Sequence, residues 1–124
     1  TLQEFNLYTR RIQGQTGVWV WGGQGGEERR KIAAIGLRIS RGISTHGFAL
    51  NVNTDIRYFD DIVPCGIPDS QTTSIAKELG IEVDIVEVEH LVVASLGNHL
   101  GFTTALHSEK VLEELLGSST KLEC

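Results

Sequence analysis

Two stretches of alternating character constrain the fold of this chain more than any other feature. Lys31, Ala33, Ile35, Leu37 and Ile39 share one parity, and Ile32, Ala34, Gly36, Arg38 and Ser40 the other, which is the period of a β-strand. This strand is expected to end near Arg41-Gly42. From Thr45 to Asn53 the pattern returns, with His46, Phe48, Leu50 and Val52 alternating against the small or polar Gly47, Ala49, Asn51 and Asn53. A strand face made of glycine and alanine leaves room for a ligand or a packed helix to lie against the sheet.

The remaining elements are arranged around these two. Leu2, Phe5, Tyr8 and Ile12 fall near helical spacing, so the first dozen residues read as the end of an amphipathic helix that Gly14 stops. Val18-Trp19-Val20-Trp21 is aromatic and β-branched, as a strand should be, and Gly22 to Gly26 connects it to the next strand as a hairpin. Ile62 to Gly66 is a short apolar segment that Pro64 confines to a strand end or edge. Pro68-Asp69-Ser70 signals a turn and cap before a short helix carrying Ile75, Ala76 and Leu79 and ending at Gly80. Val83 to Val93 mixes two periods and leans to helix in its later half, and Ser108 to Leu116 forms a last helix closed by Gly117. The order predicts an α+β fold with a mostly antiparallel or mixed sheet and covering helices. The expected organisation is one domain over residues 1–117, followed by a disordered tail at 118–124.

Composition excludes several classes of function. A chain of 124 residues with 40% apolar and 22% charged residues fits one globular core. The net charge of −5, from 16 acidic against 11 basic residues, argues against nucleic acid or an anionic membrane as a partner. Arg29, Arg30 and Lys31 form a local basic run beside Glu27 and Glu28. The apolar stretch from Leu91 to Leu96 is far shorter than the roughly 20 residues of a bilayer span. Cys65 and Cys124 are read as reduced thiols, Cys124 lying on a polar tail and Cys65 in an ordered apolar context.

Chemistry is concentrated in few places. Gly22-Gly23-Gln24-Gly25-Gly26 lacks the lysine-serine ending of a phosphate loop and reads as a hairpin connection. His46, His90, His99 and His107 have no spacing that builds a metal site with Cys65; only His46, beside the small-residue strand, is retained as a candidate. Cys65, within Ile62-Val63-Pro64-Cys65-Gly66-Ile67, and Lys31, within Arg30-Lys31-Ile32-Ala33-Ala34-Ile35-Gly36, read together as an activated thiol. A thiol of pKa about 8.5 is only a few per cent thiolate at neutral pH, and a neighbouring ammonium raises that fraction.

Three motifs in register carry a resemblance: Lys31-Ile32-Ala33-Ala34-Ile35-Gly36-Leu37-Arg38, Thr45-His46-Gly47-Phe48-Ala49-Leu50-Asn51-Val52-Asn53 and Asp61-Ile62-Val63-Pro64-Cys65-Gly66. With Gly17-Val18-Trp19-Val20 upstream, they closely resemble the octanoyltransferases of protein lipoylation, from about Gly17 to Leu79. The resemblance implies the fold shared by biotin and lipoate protein ligases. It implies that Cys65 is the nucleophile taking an octanoyl group from octanoyl-acyl carrier protein as a thioester, and that Lys31 lowers its pKa. Ala34, Ile35 and Gly36, with Gly47, Phe48 and Ala49, fall on the family's two substrate-binding strand segments. The implied acceptors are lysines on lipoyl domains of 2-oxoacid dehydrogenases and on glycine cleavage H protein. No cofactor or metal is implied, and the compartment is mitochondrial in a eukaryote or cytoplasmic in a bacterium.

The chain also departs from the family. The arginine-glycine-glycine and tyrosine-histidine-glycine-proline-glycine motifs that form the other wall of the acyl tunnel do not occur. With Thr1 first and no methionine, the sequence reads as the C-terminal half of a transferase, and Gly22 to Glu28 lengthens a usually tight loop. The competing expectation is a non-catalytic fragment or scaffold that recognises acyl carrier protein or a lipoyl domain. An ATP-dependent lipoate ligase fits less well, since an adenylate-forming enzyme needs no cysteine nucleophile.

Overall fold

The long alternating run becomes the central strand of a five-stranded sheet in the computed structural model, which describes residues 1–22, 28–59 and 71–104. The strands are β1 (Thr9–Ile12), β2 (Gln15–Trp21), β3 (Arg29–Ser40), β4 (Ile43–Leu50) and β5 (Gln71–Thr72). Their order is β1-β2-β3-β4, each pair antiparallel, and β5 joins β3 in parallel through Arg30↔Gln71 and Lys31↔Thr72. Helices α1 (Ile75–Leu79) and α2 (Ile85–Leu100) follow, and short 3₁₀ turns lie at Leu2–Phe5 and Ile56–Phe59. The α+β class and the mostly antiparallel sheet agree with the sequence.

The amino-terminal helix does not form. A single 3₁₀ turn at Leu2–Phe5 ends at Asn6, whose left-handed backbone (φ 56°) redirects the chain into β1. Thr9 to Ile12 gain more by pairing with β2 than one helical turn can offer an isolated end. Tyr8 is exposed while Leu7 is buried, so the helical stripe of the sequence does not exist as a face. Gly14, expected to stop a helix, sits with φ 79° in the reversal between Ile12 and Gln15.

β2 and β3 pair as a hairpin, closed by the Gly22 amide donating to Glu28 O. The strict alternation of β3 fails at one point. Trp19 faces Lys31 but Val18 faces Ala33, so Ile32 is an extra residue and the ladder is bulged there. Lys31, Ile32 and Ala33 are consequently all buried. Beyond Ala33 the register with β4 is regular from Ala33↔Leu50 to Ser40↔Ile43, leaving Arg41 and Gly42 as a two-residue loop. Both have positive φ, 53° and 79°, the geometry that matches the twist of an antiparallel pair.

β4 starts two residues before Thr45 and stops at Leu50, because Asn51 and Asn53 turn to other work. The Asn51 side chain donates to Thr73 O, and the Asn53 amide donates to Val83 O while accepting from the Val83 amide. α1 is capped by Ser74 rather than by the Pro68-Asp69-Ser70 signal, Ser74 Oγ accepting from the Lys77 amide. Gly80 ends it in the left-handed region, as expected. β5 and the 3₁₀ turn at Ile56–Phe59 carry too little pattern to be read in advance. α2 is longer than its sequence suggests; the Asp84 carboxylate accepts from the Val86 amide at its start. Residues 60–70 and 105–124 hold the expected strand end at Ile62 to Gly66, the expected helix at Ser108 to Leu116 and the expected tail. All three lie outside the described residues.

The chain divides into two compact units, residues 1–88 and 89–124. In the first, Leu7, Trp19, Val20, Ile32, Ala33, Ile56, Ile75 and Val88 form the core. Consecutive buried residues in β2, Trp19 and Val20, place apolar cover on both faces of the sheet at its middle. In the second, the Phe102 amide donates to Gly97 O with Gly101 at φ 71°, a glycine-based helix end, and Thr104 Oγ1 donates to Val93 O.

Gly17 has no space for a side chain: a Cβ there would lie 2.6 Å from Ala33 O, and φ is 129°. Gly14 shares a positive φ but has nothing within 4 Å. Gly17→Ala is expected to destabilise the chain by about 2 kcal/mol or more and Gly14→Ala by about 1 kcal/mol, read as midpoint shifts in urea unfolding.

Candidate active site around Lys31

Lys31 stands where β3 is fastened from both sides. Its carbonyl accepts from the Thr73 amide, 2.9 Å, and the next carbonyl, Ile32 O, accepts from the Asn51 amide, 2.9 Å. Asn51 O in turn accepts from the Ile75 amide. The backbone that carries Lys31 is thus held by β2, by the end of β4 and by the segment entering α1.

The Lys31 side chain crosses to β2. Its stem lies over Gly17, with Cε and Cδ 3.4 and 3.5 Å from where a Cβ would be, and Nζ sits 4.8 Å from the centre of the Trp19 ring. Only 8% of Lys31 and 1% of Trp19 are exposed. Trp19 and Lys31 are direct cross-strand partners, so the stacking follows from the register. The other interior cation is treated differently. Arg30 donates twice to Glu78, 2.7 and 3.0 Å, and Thr73 Oγ1 donates to the same carboxylate, 2.6 Å. Burial pushes the Glu78 carboxyl up, but the hydrogen bonds from Arg30 and Thr73 and the Arg30 charge outweigh it, leaving the group below its ordinary range.

The six residues assigned to substrate contact form three cross-strand pairs: Ala34↔Ala49, Ile35↔Phe48 and Gly36↔Gly47. Ala34, Ile35, Phe48 and Ala49 are exposed, and a Cβ at Gly36 or Gly47 would meet nothing within 4 Å. No described residue packs over the glycine pair, so the room left by small side chains is open. Cys65 lies outside the described residues. His46 is exposed, faces Leu37 across the ladder and has a left-handed backbone (φ 70°). Among the described residues no three His, Cys, Asp or Glu side chains gather as metal ligands. Nor is any helix long and apolar enough to cross a membrane.

Two hollows flank this region of the first unit. One of about 370 Å³ is lined by Arg11, Gln15, Gly17 and Ile35 among others, and so joins the glycine under the Lys31 stem to a predicted substrate residue. The other, about 430 Å³, is lined by Asp55, Arg57, Lys77 and Glu82 among others and contains none of the residues singled out in the sequence. Its Asp55 carboxyl is held down to about 2 by hydrogen bonds from Arg57.

Residues 1–97 match the lipoyl protein ligase A/B catalytic domain. The chain belongs to this family. The match extends well beyond the Gly17 to Leu79 interval in which the sequence motifs are concentrated. The octanoyltransferase of Acidobacterium capsulatum is 57% identical over 79 residues, 64% of this chain and 32% of that protein. That of Acidothermus cellulolyticus is 52% identical over 90 residues, 73% of the chain and 40% of the relative. That of Flavobacterium johnsoniae is 50% identical over 97 residues, 77% and 41%. The chain therefore spans about a third to two fifths of the length of these bacterial relatives.

Sequence reading missed the supporting residues of this family site. Asn51 and Asn53 look like the polar side of an alternating strand, whereas they fasten Thr73 and Val83. Thr73, buried, and Glu78 carry no motif signal, although a half-buried arginine such as Arg30 calls for an acceptor.

Because the Glu78 carboxyl titrates lower folded than unfolded, its stabilisation is complete above the unfolded value near 4.3 and is lost as pH falls through the folded one. Urea midpoints of the wild type are expected to fall on acidification below about pH 5. Glu78→Gln should start lower at pH 7 and lose less over the same interval.

Proposed function

We propose that this domain carries the nucleophile-bearing part of an octanoyltransferase, which moves an octanoyl group from octanoyl-acyl carrier protein to a lysine of a lipoyl domain. The observation that carries the reading is the buried Lys31 ammonium, stacked on Trp19 at the head of a paired β3–β4 wall and given no carboxylate among the described residues. A cation left without a counter-ion in a nearly dry site favours an anion beside it, and a thiolate is the anion that this chemistry requires. The chain's similarity to bacterial octanoyltransferases supports the same reading.

The steps balance without a cofactor. The Cys65 thiolate attacks the donor thioester carbonyl, a new S–C bond forms, and the carrier's pantetheine thiolate leaves and takes up a proton. One thioester replaces another, so this half is nearly thermoneutral. The acceptor lysine, as the free amine, then attacks the acyl-Cys65 carbonyl; the S–C bond breaks, an amide forms, and the amine's proton passes through Lys31 to solvent or to the departing thiolate. Ala34, Ile35, Gly36, Gly47, Phe48 and Ala49 supply a surface for the acyl chain, each buried CH₂ contributing about 0.8 kcal/mol. Residues 1–117 are assigned to this single catalytic domain. Lipoyl domains of 2-oxoacid dehydrogenases and glycine cleavage H protein are the proposed acceptors. The compartment is the cytoplasm for a bacterial chain and the mitochondrion for a eukaryotic one.

Incubation with octanoyl-acyl carrier protein is expected to add one octanoyl mass at Cys65, and Cys65→Ser to abolish it, read by intact-mass spectrometry and peptide mapping. A thiol that alkylates freely but takes no octanoyl group would instead identify a non-catalytic scaffold. Lys31→Ala is expected to raise the pH at which Cys65 alkylation is half-maximal, since the thiolate loses its neighbouring cation; an unchanged profile removes Lys31 from this role.

A further inference from the structure

Lys31 is held in an unusual way for an interior cation. An ammonium has three N–H donors and no acceptor capacity. In a residue 8% exposed, those donors would ordinarily be taken by a carboxylate or by carbonyls, as Glu78 takes Arg30. Lys31 Nζ makes no hydrogen bond or ion pair with any described residue; its one close partner is the face of Trp19 at 4.8 Å. The indole N–H of Trp19 is itself buried and has no hydrogen-bond partner among the described residues, none of which therefore holds Trp19 by its polar atom. Gly17 contributes from the same strand: only an absent side chain lets the Lys31 stem pass at this distance.

An aromatic face attracts a cation through its quadrupole and consumes none of its N–H groups. A carboxylate in the same position would fix the ammonium equally well but would neutralise its charge and occupy its donors. We infer that Trp19 is the positioning residue of the site: its ring face orients the Lys31 ammonium while leaving the charge and all three donors available to the reacting groups. Gly17 is the space that the arrangement needs. The inference rests on the role given to Lys31 above and adds the element that makes a buried lysine usable.

The test separates the ring's electrostatics from its size. In a Trp21→Phe background Trp19 is the sole tryptophan, and replacing it biosynthetically by mono-, di- and tetrafluorotryptophan drains the negative face of the ring while nearly preserving its outline. The rate of octanoyl transfer onto the protein from octanoyl-acyl carrier protein is expected to fall stepwise along the series, by about tenfold in total. Trp19→Phe should retain more of the rate than Trp19→Leu. Independently, the ε-methylene protons of Lys31, identified by their loss in Lys31→Met, are expected upfield of free lysine through the ring current and at ordinary positions in Trp19→Leu. A rate that stays flat across the fluorinated series, or ε-methylene protons that are not shifted in the wild type, overturns the inference. If the wild type takes up no octanoyl group, it is the transferase reading that fails, and the ring-current measurement still decides whether Trp19 holds the ammonium. Should Trp19→Leu fail to fold, the fluorinated series carries the test.

Discussion

Two backbone carbonyls, those of Lys31 and Ile32, organise the first unit. They accept from Thr73 and Asn51, the residues that lead into α1 and follow β4, so one short stretch of β3 ties three parts of the chain together. The same stretch carries the bulge opposite Val18 and Trp19 and the three consecutive buried residues of the strand. A bulge bends its strand and redirects the side chains around it. Held by hydrogen bonds on either side, this one aims Lys31 at Trp19 and fixes it there.

Support for the site comes in two layers with different chemistry. On one side Arg30 is paired with Glu78, to which Thr73 also donates, and with Glu28 further out. On the other, Lys31 meets, among the described residues, an aromatic face and the clearance above Gly17. Neighbouring residues of one strand thus have opposite fates, Arg30 locked into an ion pair and Lys31 given no hydrogen-bond acceptor among the described residues. Breaking the first arrangement costs stability, because a half-buried guanidinium loses its partner. Breaking the second costs placement.

Much of this was legible in the sequence where the pattern had period two. The alternation in Lys31 to Ser40 and in Thr45 to Asn53 predicts β3 and β4, the latter three residues too long, and their register brings the six small and apolar substrate candidates into three facing pairs. The family motifs located Lys31, and the aromatic Val18 to Trp21 run located β2, though not the stacking that makes Trp19 matter. What escaped the sequence has physical reasons. The 3₁₀ turn at Leu2–Phe5 mimics a helix because one turn and one helix share spacing, and only the left-handed Asn6 distinguishes them. The bulge at Ile32 leaves no trace in composition, since it needs neither glycine nor proline. Asn51, Asn53 and Thr73 act through contacts with residues distant in sequence, which no local pattern records.

The distal half of the β3–β4 hairpin has a consequence in colloidal rather than catalytic terms. Beyond Ala33 this ribbon exposes Ile35, Leu37 and Ile39 on one strand and Ile43 and Phe48 on the other, Ile39 being 75% exposed. In isolation such a surface is a site for strand-to-strand and face-to-face self-association, and the net charge of −5 supplies only a modest long-range repulsion against it, which salt screens. The exposed apolar face thus lies on a part of the hairpin that contributes little to the core.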